Sequence, residues 1–244
     1  MLINMQRPGS TFVATVKDWK NKYGRSPKPG ASPLIILKAF GPVSYVYELS
    51  DTEGKEFPED LEKPFNNSGT ISVYEFDNLI KALPFLGVEL YQSKYGTALA
   101  GTAESKEEIK VFDYKNKQYY VPFSITVNED HDTSSQFATI CHELGHILCG
   151  HLYYSKSVIK EESYLPTRFG ISKETKEFEA ESVCWLVCER IGIKNPSAKY
   201  LSNYLQNNSM VPYISLEAIL RATGTIERML KGDVVKPHKA LVIK

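Results

Sequence analysis

The stretch ATICHELGHILCGH, residues 138–151, places two histidines, His142 and His146, four positions apart, with Glu143 directly after the first. Residues four apart on an α-helix lie on the same face, one turn from each other. With this spacing two histidines of one helix bind a single zinc ion, and the glutamate between them is the general base of a metallopeptidase. The stretch therefore predicts a helix that binds Zn²⁺ through His142 and His146, with Glu143 as the catalytic base.

The apolar residues of this stretch predict how the helix packs. They form a continuous stripe on the side opposite the two histidines, made of Phe137, Ile140, Cys141, Leu144 and Leu148. A helix packed on a sheet through this stripe presents both imidazole rings away from the sheet. Gly145 leaves room for a neighbouring segment to approach closely. The alternative is an ordinary amphipathic helix with two surface histidines, so a zinc site requires a third protein ligand.

Two kinds of spacing are candidates for the third ligand. A metzincin-type site needs a glycine and a histidine three and six positions after His146. Cys149 and Leu152 occupy those positions, which excludes this type. Thermolysin-like enzymes take a glutamate from a second helix instead. The stretch KEFEAESVCWLVCERIG, residues 176–192, supplies such a helix.

This second helix contains three glutamates, Glu177, Glu179 and Glu181, within a stretch of five residues. Glu177 and Glu181 share a face with two cysteines, whereas Glu179 falls on the other side, with charged residues that we expect to be exposed. The spacing therefore predicts Glu177 as the third metal ligand and Glu181 as the hydrogen-bond partner of a ligand histidine. Glu179 stays an alternative ligand. The competing interpretation is a face of solvated carboxylates with no metal.

The two motifs together resemble a known family. HELGH followed by EFEAESVCWL is similar to the ImmA/IrrE family of zinc metallopeptidases, whose second helix reads approximately E-x-E-A-N. In that family the first glutamate is the ligand, which implies Glu177, and this chain has Glu181 where the family often has asparagine. The resemblance continues through residues 197–205 and 211–229. It implies a zinc endopeptidase whose protein substrate is a DNA-binding regulator of a mobile element or of a stress response.

A mechanism follows from these assignments. Zn²⁺ held by His142, His146 and Glu177 polarises a peptide carbonyl, and Glu143 transfers a proton from water to the leaving amine. A further donor for the tetrahedral oxyanion is expected from the segment after the first helix, and the candidates are His151, Tyr153, Tyr154 and Arg168. The strand-like run YYVPFSITVNED before the helix is expected to pair with an extended substrate as a sheet edge.

Charge is distributed unevenly although the net charge is zero. Residues 1–40 contain seven basic side chains and one acidic one, whereas residues 48–62 contain seven acidic and one basic. One interpretation is two surfaces that attract each other. The other is a nucleic-acid-binding face, formed by Lys17, Lys20, Lys22, Arg25 and Lys28. Trp19 or Tyr23 would stack on bases there, or both belong to the core of the first helix.

The N-terminal stretch FVATVKDWKNKYGRSPKPGASPLIIL is similar to the first domain of ArdC-type antirestriction proteins. That resemblance implies binding of single-stranded DNA. The alternative function is therefore an antirestriction or single-stranded-DNA-binding protein whose zinc site is structural or vestigial. A third hypothesis is a stable interaction module without a metal. Glu143 favours the enzyme, because a structural site needs its ligands but not a base.

The remaining pattern predicts an α+β protein in two parts. Residues 1–65 are expected to form a small helix and hairpin unit, with a helix that Ser10 or Thr11 caps and Gly24 ends, and a hairpin around residues 41–42. Residues 66–244 are expected to form a thermolysin-like (gluzincin-type) minimal metallopeptidase domain. Its predicted elements are a helix at 73–83, strands at 87–93, 97–103, 108–114 and 118–127, and a cluster of helices from residue 133.

The location of the protein is predicted from what the sequence contains. The densest apolar run, PLIIL at residues 33–37, is far shorter than the roughly 20 residues of a membrane span. The N-terminus shows no secretory signal pattern. The four cysteines, Cys141, Cys149, Cys184 and Cys188, are predicted as free thiols inside helices, the last three as inert packing residues. We therefore expect a cytoplasmic protein with no membrane partner.

Overall fold

The structure is a computed structural model that describes residues 2–7, 9–37, 43–58, 61, 69–95, 99–154, 164–197, 201–202 and 211–243. Its contacts divide the chain into two compact units. Unit 1 contains Met1–Asn66, Ser93–Ala100 and Asn128–Asp130, and unit 2 contains Asn67–Gln92, Gly101–Val127 and His131–Lys244. The boundary predicted between residues 65 and 66 lies outside the described residues.

Unit 1 is built from short strands and one main helix. In chain order its elements are α1 (Leu2–Gln6), β1 (Val13–Ala14), α2 (Val16–Tyr23), β2 (Arg25–Pro27), β3 (Leu34–Ile36), β4 (Ser44–Glu48), a 3-10 turn (Leu49–Asp51) and β5 (Thr52–Gly54). Strands β1, β4 and β3 form one antiparallel sheet in that order, and β2 pairs antiparallel with β5. The predicted hairpin is confirmed as the β3–β4 pair, although its turn at residues 38–42 is not among the described residues.

The beginning of helix α2 differs from the prediction. Thr15 caps the helix, because its side chain accepts a hydrogen bond from the backbone N–H of Asp18. Ser10 and Thr11 were the wrong choice, because the intervening residues Val13–Ala14 pair with β4 and leave the helix no room to begin earlier. Gly24 ends the helix in the left-handed conformation at φ 62°, as predicted.

Unit 2 contains the sheet and the longer helices. Its elements are α3 (Val73–Ala82), a 3-10 turn (Leu83–Leu86), β6 (Val88–Ser93), β7 (Gly101–Tyr114), β8 (Lys117–Asn128), α4 (Thr133–Leu148), α5 (Lys173–Arg190), α6 (Leu216–Leu230) and a 3-10 turn (Lys239–Leu241). The final residues of β6 and β8, Ser93 and Asn128, are grouped with unit 1. No helix among the described residues combines the length and hydropathy that a bilayer crossing requires.

The sheet of unit 2 has the strand order β6-β8-β7. The strands predicted at 97–103 and 108–114 are one strand, β7, with a register shift between Ser105 and Lys110. A tight turn joins β7 to β8 through Lys115 and Asn116, both at positive φ, as favoured in two-residue hairpins. The expectation that β8 is a sheet edge is wrong, because β8 pairs with a strand on each side. Strand β7 pairs with β8 and forms one edge of this sheet.

The core of unit 2 lies between β8 and α4. The predicted apolar stripe is confirmed, because its five residues, Phe137 to Leu148, belong to the buried cluster. They share this core with inward-facing residues of β8, Phe123, Ile125 and Val127. Helices α5 and α6 close the other side of α4 with buried residues that include Val183, Val187 and Ile226. The α+β class is thereby confirmed, with the histidine-bearing helix sandwiched between the sheet and the C-terminal helices.

Candidate metal centre

Local capping positions the two helices that carry the candidate ligands. The side chain of Asp132 accepts a hydrogen bond from Ser135 N–H and begins α4, and Gly150, at φ 77°, follows its C-terminal end. Ser172 caps α5 in the same way through Thr175 N–H. The caps therefore place the HELGH sequence in the last two turns of α4 and Glu177 near the start of α5.

Helices α4 and α5 are in close contact at Gly145. A Cβ atom at this position would lie 2.9 Å from Cα of Ala180 and 3.2 Å from its carbonyl oxygen. Distances this short do not occur between carbon atoms in contact, so only glycine permits the observed approach. The prediction that Gly145 allows close packing is confirmed. His146 is the next residue of α4, and Glu177 precedes Ala180 by three positions, so the approach brings their side chains together.

The three predicted ligands converge on one point. Nε2 of His142 lies 3.2 Å from Nε2 of His146, and Oε2 of Glu177 lies 3.6 Å and 3.7 Å from these two atoms. A point equidistant from all three atoms lies about 2.0 Å from each, which matches the zinc–nitrogen and zinc–carboxylate distances of roughly 2.0–2.2 Å in proteins. The two imidazoles and the carboxylate also form the ligand set of a catalytic zinc site. The residues therefore fit a first-row divalent cation.

Two further glutamates surround this group. Oε1 of Glu181 lies 3.4 Å from Nδ1 of His142, on the opposite side of the ring from the ligand atom. This is the position from which a carboxylate orients a metal-binding histidine. Glu143 is buried, and burial raises the pKa of its carboxyl group, although the two histidines and the backbone N–H of Ala103 act in the opposite direction. A raised pKa suits a general base that must take up a proton and release it again.

The pKa values of His142 and Glu177 are shifted in opposite directions. Burial alone would lower the pKa of His142, but the hydrogen bond to Glu177 and the charges of Glu181 and Glu143 raise it to about 9. The contacts with His142 and His146 hold the pKa of Glu177 far below its usual range. His142 therefore holds its proton at neutral pH. A metal ion must displace this proton, so its affinity is expected to fall as the pH falls.

Glu179 lies where the sequence interpretation did not place it. We expected an exposed residue, but its side chain is fully buried. Both carboxylate oxygens accept hydrogen bonds from Arg168 at 2.6 Å, and the backbone N–H of Ser215 donates a third at 2.6 Å. Nε2 of His151 lies 2.8 Å from Oε2. Burial would raise the pKa of Glu179, but these three partners lower it to about 2.

A second group of potential ligand atoms, from Cys149, His151 and Glu179, lies within 4.8 Å of one another. It is ill suited to a cation for two reasons. The guanidinium of Arg168 already neutralises Glu179 through two hydrogen bonds. Burial raises the pKa of the Cys149 thiol to about 12, so the sulfur is protonated and a poor ligand. The group is therefore an internal hydrogen-bond network that supports the loop after α4.

The candidates for an oxyanion donor are narrowed to one. His151 and Arg168 bind Glu179, and the hydroxyl of the buried Tyr154 donates to the carbonyl oxygen of Leu165 at 3.0 Å. Tyr153 is 59% exposed, and its ring packs edge-on against Phe169 at 5.4 Å. Its carbonyl oxygen accepts a hydrogen bond from Ser105, two residues from Ala103 on strand β7. Tyr153 is therefore the candidate side chain that faces solvent beside β7.

The four cysteines are buried and free, as the sequence predicted. Cys184 donates from its thiol to the carbonyl oxygen of Ala138 at 3.2 Å and accepts from the side-chain amide of Asn195 at 3.1 Å. Burial raises the pKa of Cys141, and the contact with Cys188 together with burial raises that of Cys184. These thiols are protonated and shielded, which favours a packing role over a metal-binding one.

One of the two stacking candidates of the nucleic-acid face, Trp19, is buried, and the other, Tyr23, is only partly exposed. Trp19 has no exposed surface, so the idea that it stacks on bases is wrong. Tyr23 packs against Trp19, Phe12 and Phe57 in one aromatic cluster. Both aromatic side chains stabilise unit 1 from within.

Three of the five basic residues of this face have partners within their own unit. Lys22 pairs with Asp18, and Lys28 donates to the carbonyl oxygen of Ser50. The guanidinium of Arg25 donates to the carbonyl oxygen of Thr52 at 2.8 Å, next to the acidic stretch. Arg7 forms an ion pair with Asp51. These contacts support the interpretation in which the basic and acidic stretches attract each other.

Comparison with known proteins yields little to add to this geometry. No protein-family model matches the chain, and no curated protein sequence matches it. Among solved structures it is similar to the Mn(II)-bound crystal structure of the antirestriction protein ArdC from plasmid R388. The match has 17% sequence identity and a TM-score of 0.33, and covers 93% of this chain and 81% of that one. At these values the likeness carries no conclusion about fold or activity, and the resemblance to the ImmA/IrrE family stays a prediction.

Proposed function

We propose that the protein is a zinc-dependent endopeptidase that hydrolyses a peptide bond in a protein substrate. The observation that carries the proposal is the triangle of His142 Nε2, His146 Nε2 and Glu177 Oε2, with the buried carboxyl group of Glu143 beside it. A divalent ion bound by the three ligands would supply Lewis acidity to a peptide carbonyl and acidify a water molecule. A purely structural site has no use for a neighbouring base, so Glu143 favours catalysis.

Glu143 is the residue to which we assign the proton transfers. It accepts the proton of the attacking water and donates it to the nitrogen of the departing amine. Its burial beside the two histidines places the carboxyl group where it can exchange a proton with a water molecule at the ligand triangle. Glu181 holds the imidazole of His142 in orientation, and Tyr153 is the donor that we assign to the oxyanion.

The edge of the sheet supports a polypeptide as the substrate. Strand β7 has β8 on one side, and the backbone N–H of Ala103 lies against the Glu143 carboxylate. The outer edge of β7 thus runs past the proposed base. An extended peptide that pairs with this edge would carry its carbonyl groups past Glu143 at the spacing of a β-strand. This assignment replaces β8, which the sheet covers on both sides.

Metal analysis and cleavage assays with matched variants test the proposal. Protein purified without chelator should contain about one zinc per chain and cut an unstructured protein mixture at sites that mass spectrometry can read. Glu143→Gln should retain the metal and lose cleavage, whereas His142→Ala should lose both. Glu189→Gln, at an exposed position of α5, is the control and should behave as wild type.

Three outcomes would contradict the proposal. The first is wild-type protein that binds no divalent ion. The second is zinc-loaded wild-type protein that cleaves nothing in the mixture. The third is cleavage by Glu143→Gln at the wild-type rate. In addition, Tyr153→Phe should slow cleavage while Tyr154→Phe should not, because the Tyr154 hydroxyl already donates to the carbonyl oxygen of Leu165 whereas Tyr153 is mostly exposed. Equal rates for these two variants would remove Tyr153 from the mechanism.

A further inference from the structure

The two ligand histidines have different partners on the far side of their rings. Nδ1 of His142 faces the carboxylate of Glu181, which can only accept a hydrogen bond. Nδ1 of His146 lies 3.0 Å from Nδ1 of His151, and an imidazole nitrogen can either donate or accept. For His146 to offer a lone pair at Nε2, its proton must be on Nδ1 and His151 must accept it.

Glu179 decides the direction of this hydrogen bond. Its carboxylate is ionised, since it accepts two hydrogen bonds from Arg168 and one from Ser215 N–H. An ionised carboxylate is only an acceptor, so Nε2 of His151, 2.8 Å away, must carry the proton and donate it. The neutral ring of His151 then presents a lone pair at Nδ1. That lone pair accepts the Nδ1 proton of His146, which leaves Nε2 of His146 free for a metal.

The surroundings hold these rings in place. The side chains of His151 and Glu179 have no exposed surface. The backbone N–H of His151 donates to the carbonyl oxygen of His146 at 3.0 Å, and Lys176 donates to the carbonyl oxygen of His151 at 3.2 Å. Arg168 also spans from Glu179 to the carbonyl oxygen of Cys149. These contacts fix His151, which follows α4, to helix α5.

We propose that His151 and Glu179 are positioning residues that hold His146 in the Nδ1–H tautomer and so present its Nε2 lone pair to the metal. The chain of hydrogen bonds runs from Glu179 to His151 to His146, and Arg168 anchors its buried end. The proposal rests on the metal site of the proposed function. It assigns a role to two residues that contact neither the substrate nor the ion.

Two substitutions at His151 separate this role from packing. His151→Phe conserves most of the ring volume but removes the acceptor, whereas His151→Asn leaves a gap but keeps an oxygen near the position of Nδ1. The proposal predicts that zinc affinity falls about 10- to 100-fold in His151→Phe and recovers most of this loss in His151→Asn. Packing alone predicts the reverse order. His238 is a matched control position, because its Nδ1 accepts a hydrogen bond from Ala240 N–H. His238→Phe should leave zinc affinity unchanged.

Nitrogen NMR of the histidine rings in the full-length wild-type protein tests the tautomers directly. His151 should be protonated at Nε2 and unprotonated at Nδ1, and His146 should carry its proton at Nδ1. A His151 ring protonated at Nδ1, or equal zinc affinity of His151→Phe and wild type, would overturn the proposal while leaving the metal site intact. Wild-type protein that binds no zinc would instead contradict the proposed function, and the tautomer of His151 would still decide the hydrogen-bond chain.

Discussion

Gly145→Ala tests whether the close contact of α4 and α5 assembles the metal site. The added Cβ would lie 2.9 Å from Cα of Ala180, whereas ordinary van der Waals contact begins at 3.4 Å. The helices must therefore separate locally by about 0.5 Å. The contacts between Glu177 and the two histidines, now 3.6 Å and 3.7 Å, would lengthen by a similar amount. The two histidine nitrogens stay 3.2 Å apart, so an ion about 2.0 Å from both would lie about 2.6 Å from Oε2 of Glu177, beyond the roughly 2.0–2.2 Å of a zinc–carboxylate bond.

The expected effect falls on metal binding more than on folding. Overpacking a helix contact costs about 1–3 kcal/mol, and alanine in a helix interior regains up to about 1 kcal/mol relative to glycine. If zinc must pull the helices back together, its dissociation constant rises about 10- to 100-fold, since 1.4 kcal/mol is a factor of ten. The free energy of unfolding of the metal-free protein should change by no more than about 2 kcal/mol.

Gly224→Ala provides the control for this experiment. Gly224 lies inside α6, and a Cβ there would meet no atom within 4 Å. This variant should be stabilised by about 0.4–1 kcal/mol and bind zinc as wild type does. Zinc affinity is measured by competition with a chromophoric chelator, and stability by denaturant unfolding of the metal-free protein. Wild-type zinc affinity in Gly145→Ala, with the same gain in stability as Gly224→Ala, would refute the argument from close contact.

Three further predictions concern other parts of the molecule. The four buried thiols should react slowly with a thiol reagent in the folded protein and rapidly in denaturant, and fast labelling of the native state would contradict their burial. The Glu48 carboxylate accepts hydrogen bonds from Thr11 and Ser50, which lower its pKa although burial opposes them. Its contribution to stability is therefore present above pH 4.5, the usual pKa of the group, and is lost as the pH falls through the lowered value. Acid unfolding followed by Trp19 fluorescence should show this loss in wild type and not in Glu48→Gln, and identical pH profiles would contradict it. Because basic side chains of unit 1 contact its acidic stretch, titration with single-stranded DNA should show little binding even at low salt, whereas tight binding that weakens steeply with salt would support the nucleic-acid-binding face.

The residues of the candidate metal centre can be predicted from the sequence because their geometry is local. Helix periodicity alone places His142 and His146 on one face of their helix and Glu177 on a defined face of the next helix. Each of these two predictions requires knowledge of a single helix only. Gly145 also indicates in the sequence that another segment packs closely against this helix. These features allowed the site to be predicted before the strands around it were known.

The errors arose where the outcome depends on distant segments. Helix periodicity places Glu179 on a face with charged residues, which predicts an exposed side chain. In the structure Arg168 and the start of α6 cover that face. Helix periodicity cannot show which other segments pack on a helix. His151 was considered only as an oxyanion donor, because its contact with Glu179 joins residues 28 positions apart. Similarly, residue pattern identified β8 as a strand but not which strands lie beside it.

The three glutamates at the start of α5 have a consequence for genetics. Glu177 is partly exposed at the ligand triangle, so its loss should abolish activity while cellular abundance of the protein stays near normal. Loss of the fully buried Glu179 removes the shared hydrogen-bond acceptor of Arg168, His151 and Ser215 N–H, so abundance and activity should fall together. Glu181 contacts a single ligand and should give an intermediate phenotype. A mutational scan that reads only activity would score Glu177 and Glu179 alike, whereas one that also reads abundance would separate the proposed metal-binding carboxylate from the buried structural one two residues away.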